Sequence, residues 1–263
     1  MYKIVAALAL ASLTCCTAQK QTMSAPSFAP NIVVAHRGAF KKNSLPENSI
    51  ASLKEAIRLN CTGSEFDIRM SADDSLVVNH DEHYKKMDIE KVTYRELAAI
   101  PLSNGEPMPT LRQYIAAGLE GNRSTRLVFE IKPSPSGKDR ARRIAQKVVE
   151  LIREMKAEHV AVYISFDYDV LKKVLEIDPT ASTQYLNGDV APAQLRADGI
   201  TGADYHFAVF RKKPEWIAEA KKLGIALNVW TVNEEADMKW FIDQKFDFIT
   251  TNEPERLLEL TRK

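Results

Sequence analysis

Residue types able to ligate a cation, clamp an anion and move protons recur at the ends of short apolar runs in this chain. The run Ile32–Ala35 ends in His36 and Arg37, followed by Gly38. Glu65 and Asp67 stand two apart, and so share one face of an extended strand. The run through Val77 and Val78 ends in His80 and Asp81; Glu130 and Lys132 again stand two apart, and Trp230 closes a later run. Singly, each has a structural explanation: a hydrogen-bonded histidine, a solvated acidic face, a salt bridge, a core tryptophan. Together they would be costly as structure alone, because buried charge must be paired or must bind something.

Three carboxylates from two strands form a hard-oxygen cage suited to Mg²⁺ or Ca²⁺. A softer transition-metal site would be expected to recruit the histidines. Arg37 offers a bidentate fork and Lys132 a point charge, both matched to phosphoryl oxygens. That leaves His36 and His80 as an acid–base pair. A cation cage, two cationic side chains and two histidines describe a phosphodiester site.

Such a set must be brought together by elements, and the pattern from Asn31 onward is strand then helix. "IVVA" precedes "PENSIASLKEAIRLN", whose Ile50, Leu53 and Ile57 have helical spacing. "EFDIRM", "LVFEIK", "VAVYISF", "ASTQYL", "GADYHF", "ALNVWTV" and "FDFITT" read as further strands, and "SLVVNHD" as an extension after the second. Helices are predicted at about Asp139–Ala157, at "DVLKKVLEI", "APAQLRA" and "EEADMKWFIDQ", and from Pro254. Eight strands with intervening helices fit a (β/α)8 TIM barrel, in which strand C-terminal ends converge on one mouth. A doubly wound open sheet fits less well, since no Gly-rich nucleotide loop follows the first strand. Glu82–Gly118 is longer than one helix needs; it reads as two helices, "YRELAAI" and "TLRQYIAAG", with the remainder forming a small cap after the second strand.

The 263 residues carry a formal net charge of +1, so no global field recruits nucleic acid or an anionic membrane. Residues 1–16, "MYKIVAALALASLTCC", have Lys3 ahead of an apolar run too short to span a bilayer, and read as a secretory or lipoprotein signal with Cys16 as the lipid acceptor. Residues 17–30 read as a tether, and 31–263 as one domain. The expected location is outside the cytoplasm, periplasmic or outer-surface, with membrane attachment only through Cys16. Cys61 is then the one cysteine of the body, which excludes a disulfide framework and suggests a packing role.

"AHRG" with "PENS", "EFDIRMSADDSLVVNHD", "LVFEIK", "YISF" and "NVWTVN" together resemble the glycerophosphodiester phosphodiesterase family, in that family's order and across nearly the whole span from Asn31 to Pro254. The resemblance implies a metal-dependent (β/α)8 enzyme hydrolysing glycerophosphodiesters to glycerol 3-phosphate and an alcohol. It implies His36 and His80 as catalytic, Glu65, Asp67 and Glu130 as ligands of one divalent cation, and Arg37 and Lys132 at the phosphate. Asn48 would stand at or just outside that shell, and Trp230 would line the substrate pocket. Two departures stand out. The segment after "NHDEHYKKMDIEKVTYREL" lacks an Arg-Thr stretch common there, and Asn252 replaces a common Asp at a place expected to touch none of the catalytic set. Gly38 is expected to let the backbone turn close to the diester. Two other readings use the same residues: a phosphodiesterase acting on a phosphoinositol, lysophospholipid or wall polymer, and a non-catalytic phosphodiester-binding lipoprotein.

Overall fold

A computed structural model describes residues 27–262 of the chain. The predicted leader, Cys16 and most of the tether lie outside the described residues. Near-continuous apolar runs are what parallel strands buried on both faces require, and here they alternate with amphipathic helices. In chain order the elements are β1 (Val33–Ala35), α1 (Ile50–Arg58), β2 (Gly63–Met70), β3 (Leu76–Val78), β4 (His83–Tyr84), β5 (Met87–Asp88), α2 (Tyr94–Ala98) and α3 (Leu111–Leu119). There follow β6 (Arg126–Ile131), α4 (Lys138–Glu154), β7 (Ala161–Ser165), α5 (Tyr168–Ile177), β8 (Thr183–Tyr185), α6 (Pro192–Ala197) and β9 (Gly202–His206). The chain ends with α7 (Phe207–Lys212), α8 (Glu215–Leu223), β10 (Ala226–Trp230), α9 (Glu235–Asp243), β11 (Phe248–Thr251) and α10 (Pro254–Thr261).

Eight parallel strands pair in the order β1, β2, β6, β7, β8, β9, β10, β11, and β11 pairs back to β1 with Val33 opposite Ile249. The expected TIM barrel is therefore closed. β3 is the expected extension: it runs antiparallel to β2, with Val78 opposite Ile68. Because the Asn79 N–H donates to the Asp67 carbonyl at 3.0 Å, the chain after β3 returns to the level of Glu65 and Asp67. That return brings His80 to the mouth.

Inside the barrel, Val34, Val128, Val162, Ile164 and Leu186 form a small apolar plug. The larger cores lie between barrel and helices. α4, for example, buries Ile144, Val148, Val149 and Ile152 on one face. It stops at Glu154, short of the expected Ala157, because Lys156 takes a left-handed φ of 56°. The predicted cap has its own cluster of Val77, Tyr84, Ile89, Leu97 and Met108. Its helix α2 begins with a Thr93–Glu96 capping box, and α3, the barrel helix that follows, with a Thr110–Gln113 box. Two helices, α7 and α8, join β9 to β10. Neither is among the predicted helices, although Ile217 and Ala220 at helical spacing, followed by Gly224 in the left-handed conformation, signal α8. Among the described residues no helix is long and apolar enough to cross a membrane.

Candidate active site

β1 ends in a sharp reversal. Arg37 and Gly38 both take left-handed φ, 55° and 79°, and the Arg37 carbonyl accepts hydrogen bonds from Asn48 N (3.0 Å) and Ser52 Oγ (3.0 Å). A Cβ on Gly38 would stand 2.5–2.7 Å from atoms of Ser52. The close approach of α1 thus requires a glycine at this turn; "AHRG" and "PENS" are two halves of one packed turn. The same turn aims the Arg37 N–H at Glu65 Oε2 (2.9 Å) and the guanidinium at Glu47, with Nη1 2.9 Å from Oε1. Glu47 was not singled out from the sequence; its signal is the acidic residue of "PENS".

His36 also lies at this tip. Its Nδ1 is 2.7 Å from Asn252 Oδ1, and its Nε2 is 3.9 Å from Glu65 Oε2. Asn252 therefore does touch the proposed catalytic set, contrary to the expectation, because β11 closes against β1 and delivers its C-terminal end beside His36. Burial first, then the Arg37 charge, push the imidazole down to about 4.

On β2, Phe66 points outward and meets Tyr114 and Phe129 edge-on or tilted, so Glu65 and Asp67 point inward. β6 lies alongside with Glu130 opposite Asp67. The buried carboxylates of Glu65, Asp67 and Glu130 bring one oxygen each within 4.8 Å of one another. Lys132 Nζ sits 2.8 Å from Asp67 Oδ1 and 2.5 Å from Glu130 Oε1. Its angles are not those of hydrogen bonds, and these two oxygens and Glu65 Oε1 are buried without a hydrogen-bond donor among the described residues. Burial pushes the Glu65 and Glu130 carboxyls up, aided by the Asp67 charge. Burial acts on Asp67 too, but the Lys132 and His80 charges and the hydrogen bond from Asn48 outweigh it and hold Asp67 low. Three oxygens starved of donors, two of them against one ammonium, fit a hard divalent cation.

Asn48 stands behind this cage. Its Nδ2 donates to Asp67 Oδ2 (2.8 Å) and its Oδ1 accepts from Asp67 N (3.2 Å). Both ends of the amide are thus spent on Asp67, so Asn48 orients that carboxylate rather than facing the cavity as a phosphate ligand. His80 is partly exposed, with Nδ1 2.7 Å from Asp81 Oδ1.

These groups surround a cavity of about 110 Å³. His36, Arg37, Glu65, His80, Glu130 and Lys132 line its charged side. Ile164, Phe166, Leu186 and Trp230 line the other, with Trp230 edge-on to Phe166 at 5.3 Å. Asp204, which was not singled out from the sequence, also lines it. Depressions of about 260 and 440 Å³ lie elsewhere, but no charged residue lining them is buried. Cys61 is buried, and burial pushes its thiol up to about 12, which suits packing and not nucleophilic attack.

Comparison with known proteins agrees with this geometry. Residues 36–256 match the glycerophosphoryl diester phosphodiesterase family. A glycerophosphodiester phosphodiesterase of Caldanaerobacter subterraneus is 32% identical over 248 residues, covering 88% of this chain and 98% of its own. A crystal structure of a glycerophosphodiester phosphodiesterase from Parabacteroides distasonis superposes with a TM-score of 0.85 at 38% identity, covering 89% of this chain and 98% of that one. An Oleispira antarctica phosphodiesterase solved with the product sn-glycerol-3-phosphate shares the fold, with a TM-score of 0.74 at 21% identity over 88% of this chain and 96% of that one. The chain is an enzyme and belongs to the glycerophosphoryl diester phosphodiesterase family.

Proposed function

We propose that the enzyme hydrolyses glycerophosphodiesters to glycerol 3-phosphate and an alcohol, with one divalent cation, Mg²⁺ or Ca²⁺, held by Glu65, Asp67 and Glu130. The observation that carries this reading is the buried carboxylate cage next to Lys132, with two histidines lining the same cavity. When bound, the cation supplies positive charge that stabilises the phosphate oxygens as charge shifts in the transition state. Arg37 and Lys132 orient the phosphate from the side of the cage.

His36 is the base. Its Nδ1 is engaged by Asn252, its Nε2 faces Glu65, and its low pKa keeps the imidazole neutral near pH 7. It takes a proton from the attacking oxygen, either water or the glycerol hydroxyl next to the phosphate, as the new P–O bond forms. His80 gives a proton to the departing alkoxide as the old P–O bond breaks. If the glycerol hydroxyl attacks, a cyclic phosphate forms first and water then opens it. Trp230 and Phe166 provide an apolar wall that keeps water from the organic part of the substrate. The protein's export and its tethering through Cys16 are proposed from the apolar run after Lys3 alone.

The test is purified protein with a panel of diesters, with Mg²⁺, Ca²⁺ or chelator, both products being measured. Cation-dependent release of glycerol 3-phosphate is expected. Binding without turnover would favour the non-catalytic reading, and preference for a phosphoinositol, lysophospholipid or wall polymer would favour another diester.

A further inference from the structure

One acidic side chain in the cavity takes no part in the chemistry above. Asp204 stands on β9 and is 1% exposed. It belongs to the side of the cavity that Ile164, Phe166, Leu186 and Trp230 make apolar. Its Oδ1 is buried without a hydrogen-bond partner among the described residues. Leaving a carboxyl oxygen in that state is costly, and neighbouring polar groups inside the barrel avoid it. Asn228, opposite Asp204 on β10, donates to Gln184 Oε1 (3.1 Å) and accepts from Thr250 Oγ1 (3.2 Å). An unpartnered group beside a satisfied network points to a ligand as the missing partner.

The surroundings indicate which ligand group. Burial, then the Glu130 charge, push the Asp204 carboxyl well above the usual carboxylate range. A neutral acid both donates and accepts a hydrogen bond and needs no counter-cation. It suits a hydroxyl better than an ammonium headgroup. The Trp230 indole N–H is already committed, donating to the Asp204 carbonyl at 3.0 Å, so it cannot serve the ligand. The cavity of about 110 Å³ exceeds the ~10–15 Å³ that one water needs. A cavity of that size has room for a short polyol, and a long alcohol would have to leave through the mouth.

We infer that Asp204 is a specificity residue that hydrogen-bonds the terminal hydroxyl of the substrate's glycerol moiety, with the variable alcohol directed outward. The inference rests on the phosphodiesterase reading of the site. It places glycerol against β7, β8, β9 and β10, and the phosphate against β1, β2 and β6.

Steady-state kcat/KM for three diesters tests it: a glycerophosphodiester, its 1,2-propanediol analogue, and bis(4-nitrophenyl) phosphate. The analogue keeps the hydroxyl next to the phosphate and lacks only the terminal one. Wild-type protein should prefer the glycerol compound over the analogue by about 10–100-fold. Asp204→Val should erase that preference by slowing the glycerol compound alone, whereas Asp204→Asn, which keeps a donor and an acceptor, should retain most of it. Equal slowing of all three diesters by Asp204→Val, or survival of the preference in it, overturns the assignment. If Asp204→Val does not fold, loss of the preference is read in wild type by substrate alone: turnover without preference overturns this inference and leaves the phosphodiesterase reading intact. A wild-type protein inert toward all three overturns both.

Discussion

His36 Nδ1 lies 2.7 Å from Asn252 Oδ1, across the seam where the last barrel strand meets the first. With the amide oxygen accepting from Nδ1–H, the imidazole lone pair is at Nε2, on the side facing Glu65. A neutral amide fixes the ring without adding negative charge, so burial and Arg37 keep His36 down at about 4. The imidazole then stays unprotonated as pH falls from 6.5 to about 4, and the acid limb of kcat/KM due to His36 belongs near pH 4. Asn252→Asp places a carboxylate on Nδ1, raises the His36 pKa and should move that limb to higher pH. Superimposable profiles of wild type and Asn252→Asp would rule out His36 as the titrating base.

His80 is delivered by the β2–β3 hairpin and contributes no ligand atom to the carboxylate cage. On the proposed mechanism His80→Ala should lower kcat by about 10²–10⁴-fold and leave divalent-cation affinity unchanged. The comparison of kcat with a cation titration separates its role from that of Glu65. Near-wild-type turnover of a glycerophosphodiester by His80→Ala would remove the histidine from the chemistry.

Cation affinity should depend on pH with a definite sign. Glu65 and Glu130 are raised, the latter from 4.5 to about 7, so the free cage still holds protons near neutrality. Cation binding must expel them, so affinity falls as pH drops through about 7, where Glu130 takes up its proton. Calorimetry in two buffers of different ionisation heat should register proton release. Glu65→Gln should weaken binding by about 10²-fold or more. Affinity that is flat from about pH 5 to 8, or unchanged in Glu65→Gln, would contradict the cage.

Much of this was legible in the sequence, for reasons that differ by residue. Strand alternation put Glu65 with Asp67, and Glu130 with Lys132, on shared faces, and barrel topology does the rest. Glu47, Asn252 and Asp204 were not legible as site residues. Each acts through a contact that strand or helix periodicity does not encode, or through the absence of one: Glu47 folds back on Arg37 across an irregular turn, Asn252 crosses the closing seam, and Asp204 stands out only because its Oδ1 lacks a partner. Asn48 was legible as important but not in its role, since a bidentate grip on Asp67 depends on the left-handed turn at φ 58°. α8 is legible from the helical spacing of Ile217 and Ala220 and the Gly224 stop.

Lys132 places one ammonium between Asp67 and Glu130, with its side chain 8% exposed. Removing it leaves the buried carboxylates uncompensated, so Lys132→Met should destabilise the cation-free protein by about 3–5 kcal/mol. A divalent cation offsets that charge directly. The rise in Tm on adding Mg²⁺ or Ca²⁺ should therefore be larger for Lys132→Met than for wild type, while kcat stays low because a phosphate contact is gone. An equal rise in the two proteins would show that lysine and cation do not share the same carboxylates.

Gly38 and Gly105 separate two costs that a glycine can avoid. Both have positive φ, 79° and 86°. A Cβ on Gly105 meets nothing within 4 Å, whereas one on Gly38 falls 2.6 Å from the Ser52 backbone carbon. Gly105→Ala should therefore cost only the backbone strain, about 1–2 kcal/mol. Gly38→Ala adds overpacking against α1, for a total of about 2–5 kcal/mol and a Tm lower by on the order of 10 °C. It should also slow turnover, because any shift of this turn displaces the Arg37 N–H that holds Glu65 and the carbonyl that Asn48 grips. Gly105→Ala should keep full activity. Equal Tm losses for the two substitutions would mean that α1 yields to the added methyl and that the turn does not hold the site in place.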